Sequence, residues 1–233
     1  MSSFLVEKVA WGDAGFQAAK DAEFSVFGVA NNFVSREDLD AGEMLTYKSY
    51  EVQSEFYTAL DPCAESRQPA GIIRFIRFDP ARGCDSFSTL KDARSYSVDG
   101  APATCLLDAN WDRFFQMVDL STIGELATLA VAPGYRRRGV AESMWDALLT
   151  ASNRDGVAMW TAALVVPLYA WYKKILPNAI ESIGSLMPQY VGADSIPVVI
   201  RVDHPEVSEF HRQFRGGIWG CIPARAERKA RQS

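Results

Sequence analysis

The strongest pattern along this chain is a run of small and apolar residues, followed by a polar turn and then by apolar residues at helical spacing. The run from Glu125 to Val131 predicts a buried strand. The turn begins at Pro133-Gly134, and the segment after it has apolar residues four, four and three positions apart. Those residues are Val140, Met144, Leu148 and Ala151. The pattern therefore predicts a strand, a tight turn and an amphipathic helix.

A second strand and helix are expected directly after the first. The apolar run Val157–Val166 predicts a strand that is buried on both faces. Asp155-Gly156 is expected to end the preceding helix, and Pro167–Leu176 predicts a short helix, because proline is tolerated in a first turn. Two further strands are predicted at Ile180–Leu186 and Ile196–Val202.

In the first half of the chain, Gly71–Phe78 is the best strand candidate. Apolar residues occupy both of its alternating faces, which predicts burial on both sides. Shorter patterns predict a strand followed by a helix over Phe4–Asp21, a strand at Glu51–Leu60 and a helix at Asp108–Phe115. Polar and turn-forming residues make Pro80–Pro102 an expected loop.

Three other segments have less definite patterns. Phe24–Asn32 fits either the end of a helix or a loop over a cleft, and the basic tail from Gly216 is expected to fray. An acidic cluster between these segments reads as a solvated face, with the binding of a cationic substrate as the alternative. Its members are Glu37, Asp38, Asp40 and Glu43.

Composition narrows the class of protein. The chain has 233 residues, of which 48% are hydrophobic and 23% charged, which favours a single globular domain over residues 1–233. A net charge of −5 argues against a nucleic-acid-binding protein. The four cysteines are widely spaced, which favours free thiols, and no apolar run suggests a signal peptide or a membrane span. We therefore expect a cytoplasmic protein without nucleic-acid or membrane partners, with a homodimer left open.

The turn after the first strand has the chemistry of an anion site. A helix that begins at a glycine-bearing turn presents unpaired N–H groups and a positive dipole end. Arg136, Arg137 and Arg138 add charge-assisted hydrogen-bond donors. A mononucleotide-binding loop would require Lys-Ser/Thr after its glycine, and Val140-Ala141 does not match. The turn therefore predicts a phosphorylated ligand of another kind.

The turn also resembles a known family. Arg136-x-x-Gly139-x-Ala141, with the Leu129–Pro133 lead-in, is similar to the signature of the GNAT superfamily of N-acetyltransferases. The resemblance implies an α/β fold in which a mixed, mostly antiparallel sheet has helices on both faces and two splayed parallel strands, here Ile123–Ala132 and Val157–Val166. It also implies acetyl-CoA or another acyl-CoA as donor, without a metal. The implied donor-binding residues are Leu129, Ala130, Val131, Arg136, Arg137, Arg138, Gly139, Val140 and Ala141.

Two catalytic residues follow from the same resemblance. Glu125 stands where many relatives have a glutamate that removes a proton from the amine, and a carboxyl group among apolar strand residues is expected to have a raised pKa. Tyr172 resembles the tyrosine that protonates the departing thiolate, with Tyr169 as the fallback. Direct acyl transfer to the primary amine of a small molecule or a peptide is the expected reaction, since no Ser/His/Asp triad is visible in this region.

A fainter resemblance leads to two other hypotheses. Glu125–Val131 and Gly71–Phe78 are similar to segments of acyl-homoserine-lactone synthases and N-acyl amino acid synthases. That likeness implies a long acyl chain taken from the phosphopantetheine of acyl carrier protein, although Ala127 and Thr128 replace a Ser-Arg pair of that group. The remaining alternative is an acyl-CoA-binding module without catalysis.

Overall fold

A computed structural model describes residues 4–30, 33–64, 69–98 and 101–215. Eight described strands form one sheet: β1 Leu5–Ala10, β2 Ser54–Leu60, β3 Gly71–Ile76, β4 Ile123–Val131, β5 Met159–Val165, β6 Ile180–Ser182, β7 Met187–Tyr190 and β8 Ala193–Arg201. The α-helices are α1 Phe16–Glu23, α2 Arg36–Ala41, α3 Ser88–Arg94, α4 Ala109–Met117, α5 Val140–Arg154, α6 Val166–Ile175 and α7 Pro205–Arg215. None of these helices combines the length and apolar character needed to cross a lipid bilayer.

The sheet opens between its two central strands. Its order is β1-β2-β3-β4-β5-β8-β6, with β7 also paired to β8, and every pair is antiparallel except β4–β5. β4 and β5 pair at Ile123–Met159, Gly124–Trp160 and Glu125–Thr161. Beyond Glu125 the two strands separate over the rest of their length. The mixed sheet with two splayed parallel strands is thus confirmed.

The strand, turn and helix predicted around the cationic turn are confirmed. The four apolar positions of α5, from Val140 to Ala151, are all buried against the sheet. Gly71 on β3 allows this close packing, because a Cβ atom there would lie 2.6 Å from Cγ1 of Val140. α5 ends at Arg154, and Gly156 follows with φ +72°, as the Asp-Gly pair predicts.

The predicted loop over Pro80–Pro102 is wrong in its middle, because α3 occupies Ser88–Arg94. This helix follows Phe87, which provides no side-chain cap, and it opens on two weak helix formers. Burial of Ser88, Thr89, Leu90 and Ala93 stabilises it instead, so tertiary packing overrides local preference. β7 and α7 were not predicted either. The tail from Gly216 lies outside the described residues.

Helical segments from the first half of the chain cover one side of the sheet. α1 continues into a π-helical turn at Phe24–Val29, so this segment extends the helix. Part of the acidic cluster is structural and not a solvated face. Asp38 is buried and closes a capping box with Ser35 at the start of α2, and Glu43 pairs with Lys20 and Lys48. The predicted strand at Glu51–Leu60 begins at Ser54.

Candidate active site

A cleft of about 160 Å³ lies where β4 and β5 diverge. β4 contributes Glu125 and Leu129 to its lining, and β5 contributes Ala163 and Leu164. Tyr172 closes it from α6. Where β4 and β5 no longer pair, the space between them forms a pocket with backbone groups of both strands at its edges.

The backbone of β4 presents two donors to this gap. The N–H of Ala132 donates to the carbonyl of Ala70, the residue before β3, at 2.9 Å. Because N–H groups of an antiparallel strand alternate in direction, the N–H groups of Leu129 and Val131 point away from β3 and into the gap. The N–H of Ala130 points towards β3. Within the described residues, neither of these two N–H groups pairs with β5, and Leu129 also lines the cleft.

A β-bulge lies between these donors and Glu125. Arg74 on β3 is opposite Thr128, while Phe75 is opposite Leu126, so Ala127 is the extra residue of β4. The hydroxyl of Tyr47 donates to the carbonyl of Ala127 at 3.1 Å. The bulge re-aims the strand where it meets the cleft.

The cationic turn has an anion-binding geometry. Arg137 and Gly139 both have left-handed backbone conformations, with φ of +64° and +85°, and Gly139 is the N-cap of α5 without a side-chain cap. The first N–H groups of α5, including those of Val140 and Ala141, therefore face outwards at the positive end of the helix dipole. The structure brings these predicted residues together in one turn.

The three arginines of the turn are all exposed. The Nε of Arg136 donates to the carbonyl of Val131 at 3.5 Å, which directs this side chain back across the mouth of the gap. Arg138 pairs with Asp61 at 3.2 Å and lies 4.8 Å from the centre of the Tyr135 ring. The turn is thus cationic at its surface, with Arg138 also tied to the preceding segments.

Glu125 is buried and asymmetrically hydrogen-bonded. Its Oε1 accepts from the hydroxyl groups of Ser88 and Thr89, each at 2.7 Å, and from the N–H of Thr89 at 3.0 Å. Its Oε2 is buried without a hydrogen-bond partner among the described residues. Burial raises the pKa of the Glu125 carboxyl group, although the donors on Ser88 and Thr89 lower it. Hydrogen bonds thus hold Oε1 of Glu125 in place, whereas Oε2 accepts none from the described residues.

Tyr172 meets the cleft from the other side. It is buried, and burial raises the pKa of its hydroxyl group, so the phenol stays protonated at neutral pH. Its ring stacks on Trp145 with centroids 5.7 Å apart and contacts Phe210 of α7 edge-on at 6.3 Å. Tyr169, one turn earlier, is not part of the cleft lining that the described residues form. The structure therefore favours Tyr172 over its fallback.

Several residues of the cleft were missed in the sequence. Ser88 and Thr89, which hold Glu125, fall in the segment predicted as a loop. Tyr47 and Tyr190 line the cleft from segments that are distant in sequence. Phe27 also lines it, and its segment extends α1 yet still covers the cleft, which was one alternative for Phe24–Asn32. No local pattern marks these residues, since only the folded sheet brings them to β4.

A second buried carboxylate lies beside the cleft. Glu23 accepts from Arg74 through Nε at 2.9 Å and Nη2 at 2.5 Å, and from the hydroxyl of Thr128 at 2.7 Å. Arg74 also donates to the hydroxyl of Ser54 at 3.1 Å. Glu23 and Arg74 are each only 1% exposed. We call these four residues the Glu23 network.

Comparison with known proteins identifies the architecture. Residues 99–176 match the model of the Acetyltransferase (GNAT) family. The chain is similar to the structure of MesI, a CoA-dependent acyl-homoserine lactone synthase, with 15% identity, 95% of this chain and 100% of that chain covered, and a TM-score of 0.59. It is also similar to BjaI, another such synthase, with SAM and isopentyl-CoA, at 14% identity, 91% and 90% coverage and a TM-score of 0.57. No curated protein sequence gives a significant match.

The matched segment contains β4, the cationic turn, α5, β5 and α6, and so includes both splayed strands and the helix that carries Tyr172. The likeness to the two synthases extends over nearly the whole chain. Both resemblances seen in the sequence are confirmed at the level of fold. The protein has a GNAT-like fold, and its residues 99–176 match the GNAT family model.

Proposed function

We propose that this protein is an N-acyltransferase that moves an acetyl or longer acyl group from a coenzyme A thioester to a primary amine by direct attack. One observation carries the proposal. Glu125 of β4 and Tyr172 of α6 line the same cleft, and the cationic turn follows directly after β4. A base, an acid and an anion site thus converge on one opening in the sheet.

The donor fits the turn and the gap together. Charge-assisted bonds from Arg136 and Arg137, with the first N–H groups of α5, suit the pyrophosphate of coenzyme A. Arg138, Gly139, Val140 and Ala141 complete this turn. The pantetheine arm then extends between β4 and β5, where its amides meet the N–H groups of Leu129 and Val131 as an added strand would.

The chemistry balances with these groups alone. Oε2 of Glu125 accepts a proton from the bound ammonium, and the free amine attacks the thioester carbon. A backbone N–H of Leu129 or Val131 donates to the carbonyl oxygen as negative charge develops on it. The C–S bond then breaks, and the hydroxyl of Tyr172 donates its proton to the sulfur. The nitrogen loses its remaining extra proton as the amide forms, and this proton restores the Tyr172 hydroxyl, while Glu125 returns its own proton to solvent. The products are an amide and free coenzyme A.

A carrier-protein donor is the second candidate, because the synthase fold is shared over most of the chain. Two observations favour coenzyme A instead. MesI and BjaI are both described as CoA-dependent, and BjaI is described with isopentyl-CoA. In addition, Thr128 lies within the Glu23 network at a position where the synthases have an arginine. A binding module without catalysis is less favoured, because both the acid and the base line the cleft.

Thermal unfolding with a panel of thioesters tests the donor. Free coenzyme A, acetyl-CoA, isopentyl-CoA and a long-chain acyl-CoA are compared at saturating concentrations. Ligand at 100 times its Kd stabilises a protein by about 2.7 kcal/mol, which is readily measured as a rise in Tm. An unchanged Tm with every ligand overturns the donor assignment.

Turnover then separates the three functions. Release of coenzyme A that depends on an amine supports the proposed reaction. Faster reaction with acyl carrier protein thioesters than with acyl-CoA supports the second candidate. Stabilisation by thioesters without transfer to any amine supports the binding module.

A further inference from the structure

We infer that the acceptor is a primary amine on an apolar or aromatic body, without a carboxylate beside the amine. The inference rests on the proposed N-acyltransferase function and specifies its substrate class. It follows from the aromatic side chains and the charges that line the cleft on the α3 side, where the acceptor must approach Glu125.

That side of the cleft is aromatic and acidic. Phe27, Phe33, Tyr47 and Tyr190 contribute aromatic rings to the lining, and Glu125 is the only Asp, Glu, Lys, Arg or His in the lining formed by the described residues. Rings of this kind bind apolar surface and also attract a cation through their faces.

The free oxygen of Glu125 specifies the charge of the acceptor. Oε2 is buried and has no hydrogen-bond partner among the described residues, while Oε1 is saturated by Ser88 and Thr89. A buried carboxylate oxygen without a partner is costly. An ammonium group supplies the missing hydrogen bonds and the opposite charge at once.

A carboxylate on the acceptor would find no such partner. The guanidinium group of Arg74 lies behind this wall, 5.1 Å from the centre of the Tyr47 ring. Arg74 is 1% exposed, its Nε and Nη2 donate to the carboxylate of Glu23, and its Nη1 donates to Ser54. The positive charge behind the wall is therefore already neutralised.

Acidic groups also border the cleft. The hydroxyl of Tyr190 donates to Asp92 at 2.9 Å, which places a second carboxylate directly behind the lining. An α-carboxylate would thus be buried close to Glu125 and Asp92 without a cation, and both the lost hydration and the like charges oppose its binding. An amine with an uncharged body avoids both costs.

Three acceptors of nearly the same shape test the inference. Phenylalanine carries the carboxylate, phenylalaninamide replaces it with a neutral amide, and 2-phenylethylamine lacks it. Rates are measured with the thioester that stabilises the protein best and are corrected for the ionisation of each amine. We expect kcat/KM for phenylalaninamide and for 2-phenylethylamine to exceed that for phenylalanine by about 100-fold, as for a buried charge without a partner.

The outcomes separate this inference from the proposed function. Acylation of phenylalanine or of SAM as fast as of phenylalaninamide overturns the inference and leaves the N-acyltransferase function standing. Acylation of a hydrophilic polyamine such as spermidine in preference to all three aromatic acceptors also overturns it. If a thioester binds but none of these amines is acylated, the proposed function fails and the inference fails with it.

Discussion

Two buried carboxylates lie on opposite sides of the bulge in β4, and they differ in how their oxygens are used. Both oxygens of Glu23 accept from Arg74, and Oε1 also accepts from Thr128. Glu125 has three donors on Oε1 and none on Oε2 among the described residues. Both side chains are 1% exposed, so burial alone does not distinguish them.

Under the proposed function, the difference separates a structural acid from a reactive one. The protein neutralises the charge of a paired carboxylate and donates hydrogen bonds to both of its oxygens, so neither oxygen is available to accept a proton from a ligand. A carboxylate held by one oxygen is fixed in position, and its other oxygen stays available for a proton. Glu125 also lines the cleft, whereas the Glu23 network fixes α1 to β3 behind it.

The largest expected effect is on kcat, when the carboxylate with the unpaired oxygen is replaced. Glu125→Gln removes the proton acceptor, so we expect kcat to fall by about 10²–10⁴-fold. The unfolding free energy should not fall, because the amide can still accept from Ser88 and Thr89. A matched control is Glu181→Gln on β6, where the carboxylate is half exposed. Equal kcat in the Glu125 and Glu181 variants would remove Glu125 from the reaction.

The difference in unfolding free energy between Glu125→Gln and the parent should depend on pH, because only the parent can ionise at this position. Burial raises the folded-state pKa of Glu125 above its unfolded value, so this residue favours folding most when it is protonated. That contribution is lost as the pH rises through the raised pKa. Chemical unfolding should therefore show Glu125→Gln gaining stability relative to the parent as the pH rises, and a constant difference would contradict the raised pKa.

The second effect is on the free energy of unfolding, when the paired carboxylate of Glu23 is replaced. Glu23→Gln leaves Arg74 buried with an uncompensated charge, and we expect a loss of about 3–5 kcal/mol in the free energy of unfolding. kcat of the folded protein should stay close to that of the parent. Glu209→Gln, at the exposed ion pair with Arg212 on α7, should cost about 1 kcal/mol or less. Equal losses in these two variants would show that the Glu23 network is not a buried ion pair in solution.

A third substitution tests the opposite wall of the cleft. Tyr172→Phe removes the proton donor, and kcat should fall by about 100-fold, the lower end for general acid catalysis, because a thiolate leaves readily. The KM for the donor should change little. Tyr169→Phe is the control, since Tyr169 is one turn away and outside the described lining. If both variants keep the parent rate, Tyr172 is not the acid.

The smallest effect concerns donor binding. Arg136→Ala should raise the KM for acyl-CoA by about 10–100-fold, the range for a lost hydrogen bond to a charged group, with kcat nearly unchanged. Arg201→Ala is a control, because Arg201 is half exposed on β8. A donor KM equal in the two variants would mean that Arg136 does not contact the phosphates.

The sequence predicted β4, the cationic turn and α5 because their signal is local. A strand, a turn and a helix lie in one continuous stretch, so periodicity, Pro133 and Gly139 are enough to place β4, the turn and α5. The splay of β4 from β5 came from the family resemblance, and the pairing of only three residue positions confirms it.

The rest of the site depends on contacts that leave no local pattern. Glu23 and Arg74 are 51 positions apart in the chain, and Glu125 is 36 positions from Thr89. α3 has weak helix formers in its first turn and is held by burial, so a loop was the natural prediction. α7 did have a signal that was overlooked, since Pro205 opens it and Val207 and Phe210 follow at helical spacing.

The central claim is that the free oxygen of Glu125 accepts the proton of the acceptor amine. The most direct measurement is the pH dependence of kcat for coenzyme A release, compared between the parent and Glu125→Gln at saturating donor and amine. We predict that the parent kcat rises with pH through an ionisation above the usual carboxyl range, and that this rise is absent in the variant. The same rise in both proteins would contradict the account.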